Sequence, residues 1–234
     1  EVGHPAAARS LSTMASSPGE PGEGIREMRR EYTRRGLRRE DLDRDPLGQF
    51  RAWFQQAVDA ELLEPNAMSL ATCGRDGRPG LRTVLLKAFD HKGFVFFTSY
   101  ARRKAGQLAQ NPMATLLFPW LALERQVVIS GVVSRISAAE SLAYFASRPF
   151  GSRVGAWVSM QSKVIPSRKL LEMKFEELKA KFASGEVPLP DHWGGYRLAP
   201  DMFEFWQGSQ SRLHDRFQYS RLSSGDWQID RLSP

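Results

Sequence analysis

The sequence predicts an α+β fold in which helices flank an antiparallel barrel of about six strands. Short runs rich in Val, Leu, Phe and Thr alternate with turns that contain Gly, Asp and Pro, a pattern typical of barrels and sandwiches. Amphipathic segments at helical spacing lie before, between and after these runs. Late strands can complete a barrel that early strands begin, so residues 25–234 are interpreted as a single domain.

The N-terminal segment is interpreted as a disordered tail. Residues 1–24 are rich in Ala, Ser, Pro and Gly, and they lack the apolar stretch of a secretory signal. The missing signal predicts a cytoplasmic protein, and Met14 is a candidate start for a shorter form. Residues 25–45 are dense in arginine and are expected to become ordered against the domain.

The first clear helix lies in the stretch "DRDPLGQFRAWFQQAVDAELL". Asp45 or Asp43 can act as its N-cap, and Pro46 suits its first turn. Apolar side chains recur at helical spacing and predict its buried face. They are Leu47, Phe50, Phe54, Ala57, Val58 and Leu62.

Strands and one short helix follow this helix. The stretches "AMSLATC" and "LRTVLLKAF" are strands that flank the turn "GRDGRPG", and the strand "GFVFFTS" follows the turn "DHKG". "YARRKAGQLAQNP" predicts a short helix that Pro112 stops. "MATLLFPW" and "RQVVISGVVSRI" predict two more strands.

The C-terminal half begins with a helix in "SAAESLAYFASRP", where Ser137 and Glu140 have the spacing of a capping box. The next stretch, "SRPFGSRVGAWVSMQS", is interpreted as a loop. "PSRKLLEMKFEELKAKFASG" predicts a longer helix that ends at Gly185. "GGYRLAPDMFEFWQG", "RLHDRFQYSRL" and "DWQIDRLSP" predict the closing strands.

Composition excludes several classes of protein. No segment approaches the ~18 apolar residues of a membrane span, so no membrane partner is expected. The single Cys73 rules out an intramolecular disulfide, and the scattered histidines lack metal-ligand spacing, so no metal site is expected. The formal charge of +7 fits a solvated basic surface as well as an anionic partner, which would be nucleic acid or a small phosphorylated ligand.

The stretch "FEFWQGSQSRLHDRF" carries the strongest functional signal. If it forms a hairpin, Arg212, His214 and Arg216 share one face of a strand, and Glu204 and Trp206 share a face of the incoming strand. Like charges on neighbouring sites repel each other, and an anionic ligand would relieve that repulsion. An exposed polar face with Arg–Asp pairs is the alternative interpretation.

Two further basic clusters lie on a strand and at a helix start. In "RTVLLK", Arg82 and Lys87 lie on opposite faces of a regular strand, so both serve one ligand only if the strand bends or the ligand wraps its end. "YARRKAG" places Arg102, Arg103 and Lys104 at a helix N-terminus, which favours a phosphate. The alternatives are a core strand with charged ends and a solvated basic turn.

A fourth cluster lies in "SRPFGSRVGAWVSMQS", which offers the donors Arg148, Ser152, Arg153, Gln161 and Ser162. Because the basic residues gather in short stretches, a small ligand is favoured and no nucleic acid is expected. No nucleophile motif, phosphate loop or dinucleotide fingerprint is visible. An enzyme with this sequence would therefore need an organic cofactor.

These clusters, in this order, resemble the pyridoxine/pyridoxamine 5′-phosphate oxidase family. "FEFWQGSQSRLHDR" resembles the family's C-terminal signature. Further resemblance lies in "RREYTRRGLRREDL", "DPLGQF", "RTVLLK", "ARRKAGQLAQNP", "LERQV", "YFASRP", "GAWVSMQS" and "VPLPDHWGGYRL". It covers the chain from about Arg29 to Pro234. The resemblance implies an FMN-binding split β-barrel and a homodimer with FMN at the interface.

The resemblance also implies a reaction and a set of site residues. The reaction is oxidation of pyridoxine 5′-phosphate or pyridoxamine 5′-phosphate to pyridoxal 5′-phosphate, by hydride transfer from C4′ to flavin N5, with O₂ giving H₂O₂. The implied FMN ligands are Arg82, Thr83, Val84, Leu85, Leu86, Lys87, Phe97, Thr98, Arg103, Lys104, Gln126, Gln161, Ser162, Trp206 and Arg216. The implied substrate ligands are Arg29, Arg30, Glu31, Tyr32, Lys87, Tyr144, Arg148, Ser152, Arg212, Leu213 and His214. Arg212 and His214 are the implied catalytic residues, and Arg29 to Tyr32 belong to an implied lid within 25–45.

Two other functions stay open from the sequence. The first is a split-barrel flavin protein with another reaction, such as a reductase, against which the phosphate set Tyr144, Arg148 and Ser152 argues. The second is a basic nucleic-acid-binding module, which predicts steeply salt-dependent binding. The short basic clusters argue against this second function.

Overall fold

The computed structural model describes Tyr32, residues 36–158 and residues 167–234. These described residues belong to one compact unit. The predictions for the tail at 1–24, for Arg29 to Glu31, and for Gln161 and Ser162 lie outside the described residues.

Five α-helices lie in the described residues. They are α1 (Pro46–Asp59), α2 (Arg103–Gln110), α3 (Ala138–Ser147), α4 (Phe150–Val158) and α5 (Arg168–Lys181). The predicted capping box of α3 is confirmed, because the Glu140 N–H donates to Ser137 Oγ and the Ser137 N–H donates to Glu140 Oε2, both at 3.1 Å. Within the described part of the chain, none of the helices has the length and apolar character needed to cross a bilayer.

Nine strands form one antiparallel sheet. They are β1 (Ala67–Cys73), β2 (Pro79–Leu85), β3 (Ala88–Asp90), β4 (Gly93–Ser99), β5 (Met113–Trp120), β6 (Arg125–Arg135), β7 (Trp193–Gln207), β8 (Asp215–Arg221) and β9 (Trp227–Leu232). β7 pairs with β4 through its first half and with β8 through its second half. It therefore joins the body of the sheet to the C-terminal hairpin.

The sheet curls into a barrel. Its strands follow the order β2-β1-β5-β6-β7-β4-β3, and β8 and β9 extend it from β7. β2 passes into β3 through Leu86 and Lys87, whose N–H groups donate to the carbonyls of Asn66 and Val95, both at 2.9 Å. The two ends of the path are thus consecutive in the chain. The predicted antiparallel barrel is confirmed.

Aromatic side chains fill the barrel. The ring of Phe50, on α1, meets Phe94 and Phe118 edge-on, with centroids 4.9 and 5.0 Å apart. Pairs of this kind contribute roughly 0.5–1.5 kcal/mol each beyond the area they bury. Asp45 caps α1 by accepting the N–H groups of Leu47 and Gly48, at 3.1 and 3.2 Å. The predicted cap therefore sets the start of the helix that closes the core.

The buried face of α1 differs from the prediction. Val58 is 42% exposed, whereas Gln49 and Trp53 are buried. Gln49 tolerates burial because its Oε1 accepts the Asp43 N–H at 2.9 Å. The buried face of α1 is therefore rotated slightly about the helix axis from the face that hydrophobic spacing alone predicts.

The stretch interpreted as a loop contains α4, so that prediction is wrong. Val154 and Val158 are buried on this helix, four residues apart, in a second apolar cluster with Phe145 and Trp193. The helix contains two glycines, which lower its intrinsic helix propensity. Packing against Trp193 and its neighbours overrides that local preference.

The returning strand of the 203–217 hairpin begins later than predicted. β8 starts at Asp215, and Gln210–Arg212 forms a 3-10 turn. Ser211 and Arg212 have φ angles of 54° and 60°, a left-handed conformation that a strand excludes. The prediction that Arg212 and His214 alternate with Arg216 along one strand is therefore wrong.

Candidate functional site

A cavity of about 630 Å³ opens between β2, β4, α2, α3 and α4. This volume lies within the ~300–1,000 Å³ typical of small-molecule sites. From the implied FMN set, it is lined by Thr83, Val84, Leu85, Lys87, Phe97, Thr98 and Lys104. From the implied substrate set, it is lined by Lys87, Tyr144, Arg148 and Ser152. The structure thus gathers residues of both sets around one space.

The bend between β2 and β3 decides which cation of "RTVLLK" lies at the cavity. Lys87 lies in the bend and lines the cavity. Arg82 pairs with Leu70 in the sheet and lies outside the cavity lining. Its charge nevertheless acts on Lys104, whose pKa it helps to lower. Because the strand bends, Lys87 reaches the cavity, whereas Arg82 acts through its charge on the cavity residue Lys104.

Lys104 is a buried cation at the start of α2. Its residue is 9% exposed, and its Nζ donates to Thr98 Oγ1 at 3.2 Å. Burial, together with the charges of Arg102 and Arg82, lowers its pKa to about 8. An anion in the cavity would offset this penalty.

Arg148 follows the last turn of α3 and is held over aromatic rings. Its guanidinium carbon lies 4.8 Å from the centroid of Trp193 and 5.7 Å from that of Phe145. Burial lowers its pKa, and its buried Nη1 has no hydrogen-bond partner among the described residues. A buried N–H without an acceptor is costly, so this nitrogen favours an anionic ligand in the cavity.

Stacked aromatic rings form one wall of the cavity. Tyr144 stacks on Phe97 with centroids 3.9 Å apart, and Trp193 stacks on Phe97 at 5.3 Å. Because rings packed in this way restrict each other's rotamers, they hold the cavity wall rigid. Tyr144 lies on α3 and Arg148 directly follows its last turn, so the capped helix positions two of the implied phosphate ligands together.

A second group of implied ligands forms a row across three neighbouring strands. Gln126 of β6 pairs with Trp206 of β7, and Trp206 pairs with Arg216 of β8. We call Gln126, Trp206 and Arg216 the hairpin row. Arg216 is fixed by Glu204, which accepts from its Nε at 3.0 Å and from its Nη2 at 3.1 Å. These bonds raise the pKa of Arg216.

His214 contacts the hairpin row because of the turn before β8, and not because it alternates with Arg216 along a strand. Its ring centroid lies 4.7 Å from that of Trp206. The Ser209 N–H donates to His214 Nδ1 at 3.2 Å, so a neutral His214 keeps its proton on Nε2. Tyr32 meets both Trp206 and His214 edge-on, at 5.7 and 5.3 Å.

Several implied ligands do not line the cavity. They are Arg82, Leu86, Arg103, Gln126, Trp206, Arg212, Leu213, His214, Arg216 and Tyr32. Leu86 is part of the barrel core, and Leu213 is 72% exposed. The implied site is therefore divided between the cavity and the region of the hairpin row.

The cavity also contains residues that the implied sets lack. Arg102, Ser99 and Trp193 line it, and so do Gly155 and Ala156 of α4. Arg102 belongs to the basic stretch "YARRKAG", whose position at a helix N-terminus already favours a phosphate. The α4 residues carry no such signal, because the sequence predicts a loop there.

The donor set of the cavity fits a phosphorylated cofactor. Lys87, Arg102, Lys104 and Arg148 surround the space, and none of the described lining residues is acidic. The buried Nη1 of Arg148 lacks a partner there. Apolar and aromatic walls beside these cations suit a ring system that carries a phosphate, as FMN does.

Two family models match the chain. Residues 54–182 match the model described as pyridoxamine 5′-phosphate oxidase. Residues 193–234 match the model described as the pyridoxine 5′-phosphate oxidase C-terminal dimerisation region. Together these matches include the cavity residues, the whole hairpin row and its turn.

Curated relatives resemble the chain over most of its length. A pyridoxine/pyridoxamine 5′-phosphate oxidase of Crocosphaera subtropica is 63% identical over 88% of this chain and 98% of its own. Enzymes of the same name from Rippkaea orientalis and Aliarcobacter butzleri are 60% and 59% identical. They match over 90% and 88% of this chain and over 99% and 98% of their own.

Solved structures share the fold. PhzG from Burkholderia lata, in complex with tetrahydrophenazine-1-carboxylic acid, is 31% identical with a TM-score of 0.79, over 83% of this chain and 95% of its own. A pyridoxamine 5′-phosphate oxidase-related, FMN-binding protein from Nostoc punctiforme has a TM-score of 0.63 over 79% of this chain and 97% of its own. Its 18% identity indicates likeness of fold alone.

Proposed function

The chain belongs to the pyridoxamine 5′-phosphate oxidase family, and we propose that it oxidises pyridoxine 5′-phosphate and pyridoxamine 5′-phosphate to pyridoxal 5′-phosphate, with FMN as cofactor. This reaction serves the biosynthesis and salvage of vitamin B6. The cytoplasmic location stays a prediction from the sequence.

One observation carries the proposal. Residues implied for the cofactor and residues implied for the substrate phosphate line the same cavity, with Lys87 in both sets. Hydride transfer requires the two reacting rings to lie in contact, so their binding groups must share one space. A cavity with several cations and no described acidic lining residue suits two ligands that each carry a phosphate.

Cofactor binding falls to β2, β4 and α2. Lys104 supplies a charge at the start of α2, with Arg103 beside it, and Arg82 adds a third cation from β2. Thr83, Val84 and Leu85 line the cavity, and their backbone would offer N–H and C=O groups to the flavin ring. FMN, when bound, supplies the hydride acceptor, and O₂ is the final acceptor that gives H₂O₂.

Substrate binding falls to Lys87 and to the α3–α4 region. Arg148, with Tyr144 and Ser152, would hold the substrate phosphate, and Arg148 Nη1 has a buried N–H free to donate to it. Arg212 and His214 would lie against the substrate ring. Because His214 Nδ1 already accepts the Ser209 N–H, neutral His214 would act through Nε2 as a donor.

We infer that a homodimer completes the site. The family model over 193–234 is described as a dimerisation region, and this region contains Trp206 and Arg216. Neither residue lines the cavity of its own chain. In a dimer with FMN at the interface, the hairpin row of one subunit would face the cavity of the other. Arg29 to Tyr32 would then form a lid, and Tyr32 already contacts Trp206 and His214.

The absorbance spectrum of the purified protein tests the proposal. We expect a yellow protein with about one FMN per chain, whose flavin absorbance bleaches on anaerobic addition of pyridoxine 5′-phosphate. Admission of air should restore the colour and yield pyridoxal 5′-phosphate and H₂O₂. A protein that takes up no FMN would overturn the proposal.

The relative with a bound tetrahydrophenazine carboxylic acid supplies a second arm of this test. We expect no bleaching by that compound, since it carries no phosphate for Lys87 and Arg148. Bleaching by it, without bleaching by pyridoxine 5′-phosphate, would assign the same fold to another flavin reaction.

A further inference from the structure

We propose that Gln107 and Thr72 are positioning residues that hold Arg82 in the orientation that binds the FMN phosphate. This inference rests on the proposed function, because it takes FMN as the ligand. Neither residue belongs to the implied ligand sets, and neither lines the cavity. Both would act through Arg82.

The guanidinium of Arg82 is held by neutral oxygens from two elements. Its Nη1 donates to the Leu70 carbonyl at 3.1 Å and to Thr72 Oγ1 at 2.5 Å. Its Nη2 donates to Gln107 Oε1 at 3.3 Å. Thr72 Oγ1 in turn donates to the same Gln107 oxygen at 2.7 Å. The three side chains therefore form a closed network.

Two of the three side chains in this network are buried, which makes its geometry specific. Thr72 is 3% exposed and Gln107 is 6% exposed. Buried polar groups are costly unless they are hydrogen-bonded, so each has little freedom to turn away. The amide nitrogen of Gln107 is also used, since it donates to the Arg78 carbonyl at 3.3 Å. That bond orients the amide with Oε1 toward Arg82.

A glycine leaves room for the network. Gly80 pairs with Thr72 in the sheet, two residues before Arg82. A Cβ on Gly80 would lie 2.5 Å from Arg82 Nη2 and 2.8 Å from Gln107 Oε1. Any side chain at this position would displace one member of the network, so the network requires glycine here.

The network keeps Arg82 close to other cations that repel it. Burial and the nearby charge of Arg103 both lower the pKa of Arg82, and Arg82 lowers that of Lys104. Without fixed acceptors, a flexible arginine would turn away from these cations. Gln107 lies on α2, the helix that carries Arg103 and Lys104. It therefore sets the position of Arg82 relative to Arg103 and Lys104.

Flavin titrations of the apoprotein test this role. The isosteric variants Gln107→Met and Thr72→Val remove the acceptors, and each is titrated with FMN and with riboflavin, which lacks the phosphate. We expect the Kd for FMN to rise about tenfold, as loss of a hydrogen bond to a charged group predicts, while the Kd for riboflavin stays unchanged. Thr72→Ser keeps the hydroxyl acceptor and should stay within a few-fold of wild type.

Gln110→Met is the matched control. Gln110 lies one turn later on α2, is exposed, and accepts the Arg75 N–H at 3.2 Å. It should leave the Kd of both flavins unchanged. In an Arg82→Ala background, Gln107→Met should cause no further loss of FMN affinity, because its effect passes through Arg82.

The outcomes separate the two proposals. Equal losses of FMN and riboflavin affinity, or an additive loss in the Arg82→Ala background, would overturn the positioning role. Unchanged FMN affinity in both Gln107→Met and Thr72→Val would also overturn it. A wild-type protein that binds no FMN would instead overturn the proposed function.

Discussion

The cavity and the hairpin row hold their cations in opposite ways. At the cavity, Lys104 and the Nη1 atom of the half-buried Arg148 are shielded from solvent, and the described residues provide no ion pair for either side chain. In the hairpin row, Glu204 holds Arg216 through two short bonds. A cation without a carboxylate partner can bind an incoming anion, whereas a paired cation is fixed in place.

This difference indicates two functions for the same residue type. The cavity tolerates buried positive charge that a phosphate would neutralise, so its ligand-free state is destabilised relative to its bound state. The hairpin row is held in a fixed arrangement before any ligand arrives. We interpret the cavity as the phosphate-binding region and the row as a preorganised surface for rings.

The largest expected effect is on binding of the substrate phosphate. Arg148→Met should lower kcat/KM for pyridoxine 5′-phosphate about 100-fold, because on the proposed assignment the substrate phosphate loses a cation and its charge-assisted hydrogen bond. The FMN content should stay at the wild-type level. Steady-state oxidase assays and the flavin absorbance of the same samples measure both quantities.

A control variant supports the test of Arg148. Arg168 lies on α5 with its side chain 90% exposed, and Arg168→Met makes the same chemical change away from the cavity. It should leave kcat/KM unchanged. If Arg148→Met instead lost FMN while retaining its affinity for substrate, the division of the cavity between the two ligands would be wrong.

The hairpin region should give smaller and separable effects. Arg216→Ala should raise the Kd of FMN about tenfold, since it removes a charged group of the row. Arg212→Ala should lower kcat/KM about tenfold with normal FMN content. Equilibrium dialysis of FMN and oxidase assays distinguish the two variants, and equal loss of flavin in both would contradict their separate roles.

Glu204→Gln tests whether pairing fixes Arg216. The amide keeps the shape of Glu204 but loses its charge, so the two bonds to Arg216 weaken. We expect a rise of a few-fold in the Kd of FMN, in the direction of Arg216→Ala. A fall in this Kd would show that Glu204 competes with the ligand for Arg216.

Local signals predicted most of the fold, and they failed where tertiary contacts decide the structure. The caps at Asp45 and Ser137 and the strand "AMSLATC" follow from local chemistry, and the structure confirms them. α4 was missed because its two glycines resemble a loop, and only packing against Trp193 stabilises the helix.

The candidate site shows the same limit. Alternation along a strand placed His214 near Trp206, and the rings are indeed 4.7 Å apart, but the turn at Ser211 and Arg212 brings them together. The sequence does not reveal which residues other than glycine adopt a left-handed backbone conformation. Gln107 carried no signal either, because its contacts to Thr72 and Arg82 connect separate elements.

The pH dependence of FMN affinity distinguishes the two regions further. Lys104 has a pKa of about 8 and is protonated below it, and the phosphate favours the protonated form. FMN affinity should therefore be constant well below pH 8 and fall as the pH rises through 8, by up to about tenfold between pH 7 and 9. The phosphate itself does not titrate in this window, because its second pKa is ~6.

Lys104→Arg keeps a positive charge throughout this range and should flatten the profile. Arg216→Ala should weaken binding at every pH but keep the decline above pH 8. Fluorescence titrations at pH 7, 8 and 9 measure all three proteins. An unchanged profile in Lys104→Arg would show that another group titrates.

The smallest expected effect concerns the helix that carries Arg148 to the cavity. Ser137→Ala removes the cap of α3, which should lower the free energy of unfolding by about 1 kcal/mol and the Tm by a few degrees. Ser134→Ala, at an exposed position just before the helix, is the control. Because Tyr144 and Arg148 lie at the far end of α3, a frayed first turn should raise KM for the substrate slightly and leave the hairpin row intact. A loss of FMN affinity without a change in KM would mean that α3 supports the cofactor and not the substrate, and the cavity would then have to be divided differently.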